Sequence, residues 1–437
     1  MKKPTTAIIV GAGHRGLCYA KLALSMPEKL KIVGVAEPDP VRRANAVKLF
    51  SIPEEGVFER SEELYDRPPL ADMIINGTMD SLHVKTTIPL LKAGYHVLLE
   101  KPFAINEAEM WELYKANQRY QRHVNICHVL RYAPFYAAIK KKVMEGEIGD
   151  IINIQLTEHV SYHHLMAAFV RGKWGNQYVC GAPMLLAKCC HDMDLMMWLM
   201  DQDEPVQVAS FGSDFQFAPE KTPPRAGTRC TVDCPIEAEC PQSAKKYFLD
   251  YPERWKAYAW ECLEYLGEPT LEDKIKSIAT DNPYGLCAWK CNHDNVDHQS
   301  VLVNFASGAT CTLNMIGGSP AGERKIHIIG TKGDIYGTFD TSKFVIRKIV
   351  QTYPQNFSSE TVDVKETGDM TGLTGGHGGG DLRLALDYVN LLQGEKPSYS
   401  CTSLEDSIKS HLAVFCAEEA RKESKVVSLR ERFHMNQ

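Results

Sequence analysis

The residues with the plainest chemical purpose are three glycines and a carboxylate. Gly11, Gly13 and Gly16 fall in the spacing G-x-G-x-x-G, directly after the apolar run Ala7–Val10 and before a helical run from Leu17. In that setting Gly11 permits a tight turn, Gly13 lets backbone N–H groups approach a pyrophosphate, and Gly16 lets the helix pack against the strand. The helix start adds partial positive charge. His14 and Arg15 lie within the loop. A second strand, Lys31–Ala36, ends at Glu37, about 20 residues beyond the last glycine, where a carboxylate accepts ribose hydroxyls and repels a 2′-phosphate. The set predicts a dinucleotide site favouring NAD over NADP. Arg42 and Arg43 follow, and read as solvated helix charges.

Two further stretches have the composition for moving a proton. Lys101 stands between Glu100 and Pro102 at the end of the strand Tyr95–Leu99, where partial desolvation is expected to lower its proton affinity and let it share a proton with a substrate hydroxyl. An exposed loop lysine paired with Glu100 is the plainer reading. If Pro183–Met200 is one helix, Lys188, His191, Asp192 and Leu195 fall at i, i+3, i+4 and i+7, so one face offers an amine, an imidazole and a carboxylate. Upstream, His163, His164, Arg171, Lys173 and Trp174 would suit a hydroxylated substrate, or form an ordinary surface loop.

The elements that must position these groups alternate strand and helix in the first part of the chain. Ala71–Gly77 reads as a buried strand leading into Thr78-Met79-Asp80-Ser81-Leu82-His83 and a helix over Val84–Ala93. Further on, Ile151–His159, Pro205–Gln216, Gln299–Asn304, Ala309–Ile316 and Lys325–Ile329 read as strands, several with the alternation of half-buried ones. With 437 residues and 44% hydrophobic content, the expected division is a dinucleotide-binding domain over 1–128 and a second domain over 129–437, carrying an insertion at about 213–297. The insertion is expected to line the substrate side or an oligomer contact rather than the cofactor. Its Cys230, Cys234 and Cys240, with Cys287, Cys291, His293 and His298, are free thiols or a structural zinc set, thiols being favoured. Gly375–Gly380 surrounds His377, and Asp381 reads as the N-cap of a helix from Leu382. A net charge of −6 with both signs dispersed gives no nucleic-acid stripe and no polybasic membrane patch. No apolar run reaches about 18 residues and no signal-peptide cleavage region is seen, so a cytoplasmic chain is expected.

GAGHRG, Glu37, the Thr78–His83 loop, AGYHVLLEKP over Ala93–Pro102, RYAPFY over Arg131–Tyr136 and EGEIGD over Glu145–Asp150 together resemble the Gfo/Idh/MocA oxidoreductases. The resemblance spans most of the chain. It implies an α/β protein: an N-terminal Rossmann domain with a doubly wound parallel sheet, then a C-terminal α/β domain with an open, mainly antiparallel sheet. It also implies NAD(P) chemistry on sugars or polyols and a homodimer or homotetramer formed through the exposed sheet face. Lys101 is then expected to face both nicotinamide and substrate, and His191 to be catalytic. The implied coenzyme set is Gly11, Gly13, His14, Arg15, Gly16, Glu37, Thr78, His83, Glu100 and Lys101. On the substrate side stand His164, Arg171, Trp174, Asp192 and His377. One departure stands out: many sugar dehydrogenases of the family carry an aspartate four residues before the histidine, where this chain has Ala187, and Lys188 is expected to take over that role. The leading functional expectation is oxidation of a secondary hydroxyl of a sugar, polyol or glycoside. A glycosidase working by transient C3 oxidation and elimination, which the His377 loop resembles, and a non-catalytic NAD or sugar sensor are the alternatives.

Overall fold

The computed structural model describes residues 3–364 and 377–434. Its first sheet is built from short, almost wholly apolar strands that are buried on both faces, the pattern of a parallel sheet covered by helices. These are β1 (Thr5–Val10), β2 (Leu30–Ala36), β3 (Val57–Phe58), β4 (Met73–Asn76), β5 (His96–Leu99) and β6 (Val124–Ile126). They run parallel in the order β3-β2-β1-β4-β5-β6, with the strand order reversing beside β1. The doubly wound sheet expected from the sequence is therefore present. Between the strands lie the helices His14–Ala20, Pro40–Phe50, His83–Ala93 and Glu107–Tyr120. The second of these starts where Asp39 accepts the N–H groups of Val41 and Arg42 at 2.8 and 2.9 Å.

Among the described residues the second sheet has nine strands: β7 (Ile151–Ser161), β8 (Pro205–Ser213), β9 (His298–Phe305), β10 (Thr310–Ser319), β11 (Glu323–Gly330), β12 (Gly333–Thr338), β13 (Lys343–Ile349), β14 (Phe357–Asp363) and β15 (Val427–Ser428). The order is β14-β13-β12-β11-β7-β10-β9-β8-β15; β7 and β10 pair parallel and every other pair is antiparallel. One face is covered by the helices Cys190–Leu199 and Leu404–Glu423. The other carries exposed apolar side chains, among them Phe211, Leu302 and Ile316. Strands β12 and β14 escape a reading by hydrophobic alternation because β12 carries two glycines and β14 is exposed along most of its length.

Two elements depart from expectation. Pro183–Met200 is not one helix: Met184–Ala187 ends at Lys188, and a second helix runs Cys190–Leu199. Asp381 is not an N-cap; the helix Gly380–Leu392 starts from Gly379 without a side-chain cap, and Asp381 is buried inside it. That helix also returns to the first domain, where Leu384, Ala385, Tyr388 and Val389 join the core around β1 and β2. The segment between Ser213 and His298 folds as short 3-10, π and α turns around Tyr247, Phe248, Trp260 and Tyr284. Gly375 and Gly376 lie outside the described residues.

Candidate active site

The glycine loop after β1 is shaped by backbone contact. Gly11 has φ +83°, and a Cβ there would meet the Gly77 backbone at 2.8 Å; one on Gly16 would run into the Gly11 carbonyl oxygen. A Cβ on Gly13 would meet nothing within 4 Å, so open space lies above this part of the loop. Glu37 is buried at the end of β2 and accepts the N–H groups of Ala12 at 2.7 Å and Asp39 at 3.0 Å. The loop, its open side and the carboxylate at the strand end fit a dinucleotide. His14 opens the helix with its side chain exposed.

Several residues expected to contact the coenzyme instead brace one another. Arg15 donates Nε to Glu100 Oε1 at 2.7 Å and Nη2 to Asp381 Oδ1 at 2.6 Å. Glu100 also accepts the Tyr19 hydroxyl at 2.6 Å and the backbone N–H of Lys101 at 2.6 Å. Burial pushes the Glu100 carboxyl up, but Arg15, Lys101 and Tyr19 outweigh it and hold the group below its ordinary range. His83 is buried between two backbone carbonyls, Pro102 O at 2.7 Å and Thr78 O at 3.0 Å, and so pins the Thr78 loop rather than facing a ligand. Thr78 turns its own N–H and hydroxyl to Asn76 Oδ1.

Lys101 projects from the end of β5 across the cleft and donates Nζ to the Ala187 carbonyl oxygen at 2.8 Å. This is the end of the short helix, so the break at Lys188 exposes a carbonyl to the amine. Burial opposes the lysine's charge, yet Cys190, Glu100 and Asp80 more than offset it, and the proton affinity of Lys101 is raised. That corrects the expectation of a lysine poised to lose its proton. His191, four residues on from Ala187, is buried, and its Nδ1 has no hydrogen-bond partner among the described residues. Burial, then the charges of Lys101, His377 and His128, keep His191 well below its ordinary range. It is therefore neutral and able to accept a proton, beside an amine that is charged.

Lys188 does not join this pair. Its Nζ lies 3.1 Å from Glu158 Oε1 on β7, and Arg324 Nε from β11 lies 2.5 Å from Glu158 and 3.2 Å from Asp192 Oδ1. Two cations and two carboxylates thus face one another on the floor of the second domain. Asp192 Oδ2 is left without a partner among the described residues, and burial pushes the Asp192 carboxyl up to about 6 despite Arg324. His377 stands on the other flank of His191, with ring centres 5.6 Å apart and Nδ1 3.2 Å from Asp381 Oδ2.

The loop after β7 divides by task. His164 rests on Trp255 of the inserted segment, ring centres 4.6 Å apart, and burial together with Lys188 and Arg324 lowers its proton affinity to about 2. Trp174 donates Nε1 to Asp80 Oδ2 at 3.0 Å, a bond between the two domains, and packs beside Tyr258. Arg171 is not on the substrate side: it is buried and holds the inserted segment, donating Nε to Leu286 O and Nη2 to Gln242 O, both at 2.7 Å. Among the described residues no group of three or more His, Cys, Asp or Glu side chains is placed to hold a metal ion, and Cys230 is buried beside Arg171. A buried row went unread in the sequence. His128 Nδ1 lies 2.9 Å from Asp194, which Arg131 grips with Nε and Nη2 at 2.7 and 2.6 Å, and the His128 and His191 rings stand 6.1 Å apart. The signals were Arg131, which opens the RYAPFY run, and Asp194, two residues beyond Asp192.

The model of an oxidoreductase family with an NAD-binding Rossmann fold matches residues 5–128, and that of the same family's C-terminal alpha/beta domain matches residues 140–429. The chain belongs to the Gfo/Idh/MocA oxidoreductases. As a Gfo/Idh/MocA protein it is a dehydrogenase-type oxidoreductase with an NAD-binding domain. Among relatives, the putative oxidoreductase YteT of Bacillus subtilis (strain 168) is 26% identical over 380 residues, 84% of this chain and 83% of its own length. Inositol 2-dehydrogenase of Leifsonia xyli subsp. xyli is 24% identical over 194 residues, 43% of this chain and 51% of that enzyme, so this match spans about half of the relative. The Gfo/Idh/MocA fold recurs in levoglucosan dehydrogenase, solved with NADH and levoglucosan, at a TM-score of 0.69 and 18% identity, covering 98% of this chain and all of that one. No helix among the described residues is long and apolar enough to cross a membrane.

Proposed function

We propose that this protein oxidises a secondary hydroxyl of a sugar, polyol or glycoside with NAD+, using His191 and Lys101 at the reacting oxygen. The observation that carries the reading is the Lys101 amine fixed on the Ala187 carbonyl together with a buried His191 whose Nδ1 is unpartnered among the described residues, the surroundings favouring the charged form of the first and the neutral form of the second. In this reading His191 takes the hydroxyl proton, and Lys101 donates a hydrogen bond to the same oxygen as negative charge develops there. With the pyrophosphate of the dinucleotide on the glycine loop, the nicotinamide would take up the carbinol hydrogen with its electron pair. Asp192 Oδ2 offers an acceptor for a second hydroxyl, and Trp255 with His164 and Trp174 offers the aromatic platform that sugar rings favour. Glu37 at the end of β2 supports NAD over NADP. The printed names of the relatives, inositol 2-dehydrogenase, 1,5-anhydro-D-fructose reductase and levoglucosan dehydrogenase, point to cyclic polyols and anhydrosugars as the first substrates to try. The exposed face of the second sheet supports self-association, and we place the protein in the cytoplasm.

The test is incubation of the full chain with NAD+ and a panel of inositols, aldoses, anhydrosugars and aryl glycosides, following NADH absorbance and released aglycone together. Accumulation of NADH with at least one alcohol is expected. Aglycone release without NADH would replace the reading with redox-neutral cleavage, and NAD+ binding with neither product would make the protein a sensor.

A further inference from the structure

The helix Pro40–Phe50 carries Arg42 and Arg43 in its first turn, directly beyond the Glu37 carboxylate. An arginine in this part of a dinucleotide fold is the group that accommodates a 2′-phosphate. Here both are already engaged. Arg43 donates Nη1 to the carbonyl oxygens of Glu37 and Pro38, the second at 3.2 Å, and reaches Glu59 at 3.4 Å. Arg42 is gripped by two carboxylates from the distant inserted segment: Nη2 lies 2.6 Å from Glu261 Oε1 and Nε 2.8 Å from Glu264 Oε2. Both glutamates sit on the 3-10 stretch Glu261–Leu266, so the segment reaches the first domain at the edge that Glu37 marks. The insertion, expected to line the substrate side or an oligomer contact, thus also touches the first domain.

We propose that Glu261 and Glu264 set the coenzyme preference of this protein by occupying Arg42, so that the choice between NAD and NADP is made by a segment outside the dinucleotide-binding domain. The proposal rests on the reading above that a nicotinamide dinucleotide binds with its ribose at Glu37. Its physical basis is charge and geometry. A guanidinium that gives Nε and Nη2 to two carboxylates has its charge compensated and that edge of its fork turned to them rather than to a phosphate, and one cation between two anions leaves the neighbourhood of Glu37 negative. Releasing Arg42 supplies the missing donor without altering the Glu37 contacts to Ala12 and Asp39.

The experiment is calorimetric titration of the full chain with NAD+ and with NADP+, in the unaltered protein, in Glu261→Gln/Glu264→Gln, and in that double variant carrying Arg42→Ala as well. The unaltered protein is expected to bind NAD+ more tightly. The double variant is expected to gain about tenfold in NADP+ affinity, the worth of one charge-assisted phosphate contact, with NAD+ affinity unchanged. Adding Arg42→Ala is expected to remove the gain. An NADP+ affinity that does not rise in the double variant, or a rise that survives Arg42→Ala, overturns the proposal while leaving the dinucleotide reading intact. An unaltered protein that prefers NADP+ also overturns it. An unaltered protein that binds neither nucleotide overturns the dinucleotide reading itself, and this proposal with it.

Discussion

The amine of Lys101 lies 2.8 Å from the carbonyl oxygen of Ala187, a hydrogen bond that joins the end of β5 in the first domain to the broken helix of the second. It sets the two groups of the candidate site against each other, because the chain that supplies the carbonyl continues four residues on to His191. Replacing Lys101 with Ala is expected to lower kcat by about a hundredfold or more while NAD+ affinity is retained. Because the lysine's proton affinity is raised and that of His191 lowered well below the usual range, neither group titrates near neutrality in the free enzyme. A kcat/KM profile with an inflection at the ordinary histidine value, lost in His191→Asn, would contradict this assignment.

Asp192 should set the acid side of the profile instead. Its buried carboxyl is pushed up to about 6, so acidification below that value removes the charge at the unpartnered Oδ2. KM for the alcohol is expected to rise below this pH with kcat little changed. Asp192→Asn should show the high KM at every pH, and a pH-dependent KM persisting in that variant would remove Asp192 from the substrate side.

Asp381 is a stability group with the opposite sign. Burial raises it, but the hydrogen bond with His377 and the Arg15 guanidinium outweigh burial and hold it at about 2. A depressed carboxyl contributes stability above its unfolded value near 4 and loses it as the pH falls through the folded value. Asp381→Asn is therefore expected to cost about 2 kcal/mol at neutral pH and almost nothing at pH about 2. Urea titrations at several pH values would show the two proteins converging on acidification.

Trp174→Phe keeps the aromatic surface and deletes one bond, that to Asp80. The carboxylate it leaves is buried, and the expected cost is about 1–3 kcal/mol in thermal or urea unfolding. Asp80→Asn in the same background should recover part of the loss, since a buried carboxylate that has lost its hydrogen bond is then replaced by a neutral amide. No recovery would show that the bond itself carries little.

Arg171→Met should loosen the inserted segment selectively. The guanidinium ties Leu286 and Gln242 from inside, and its loss is expected to expose residues 214–297 to limited proteolysis while the remainder of the chain stays resistant. Unchanged cleavage would place the hold on the segment elsewhere.

Local pattern alone was enough for β1, β2, β4 and β5 of the first domain, while the two- and three-residue strands β3 and β6 were too short to leave one. Its strands are short apolar runs, its turn is written in Gly11, Gly13 and Gly16, and Glu37 closes the second strand; these are local features, and each strand pairs with a neighbour through backbone that any sequence supplies. The presence of Lys101 at a strand end and of His191 on a helix was equally legible. What each group would do was not. The charge state of Lys101 depends on Glu100, Asp80 and Cys190, the break after Ala187 opens a carbonyl to an amine 86 residues away in sequence, and Lys188 is drawn off by Glu158. Arg171, His83 and Arg42 have the composition of ligand-binding residues, yet tertiary contacts turn the first two into braces and give the third to Glu261 and Glu264. Residue type and spacing determine which chemistry is within reach, because propensity and periodicity act over a few neighbours. Protonation and partner choice were decided only by the folded chain, because burial and Coulomb forces act between groups that the sequence holds far apart.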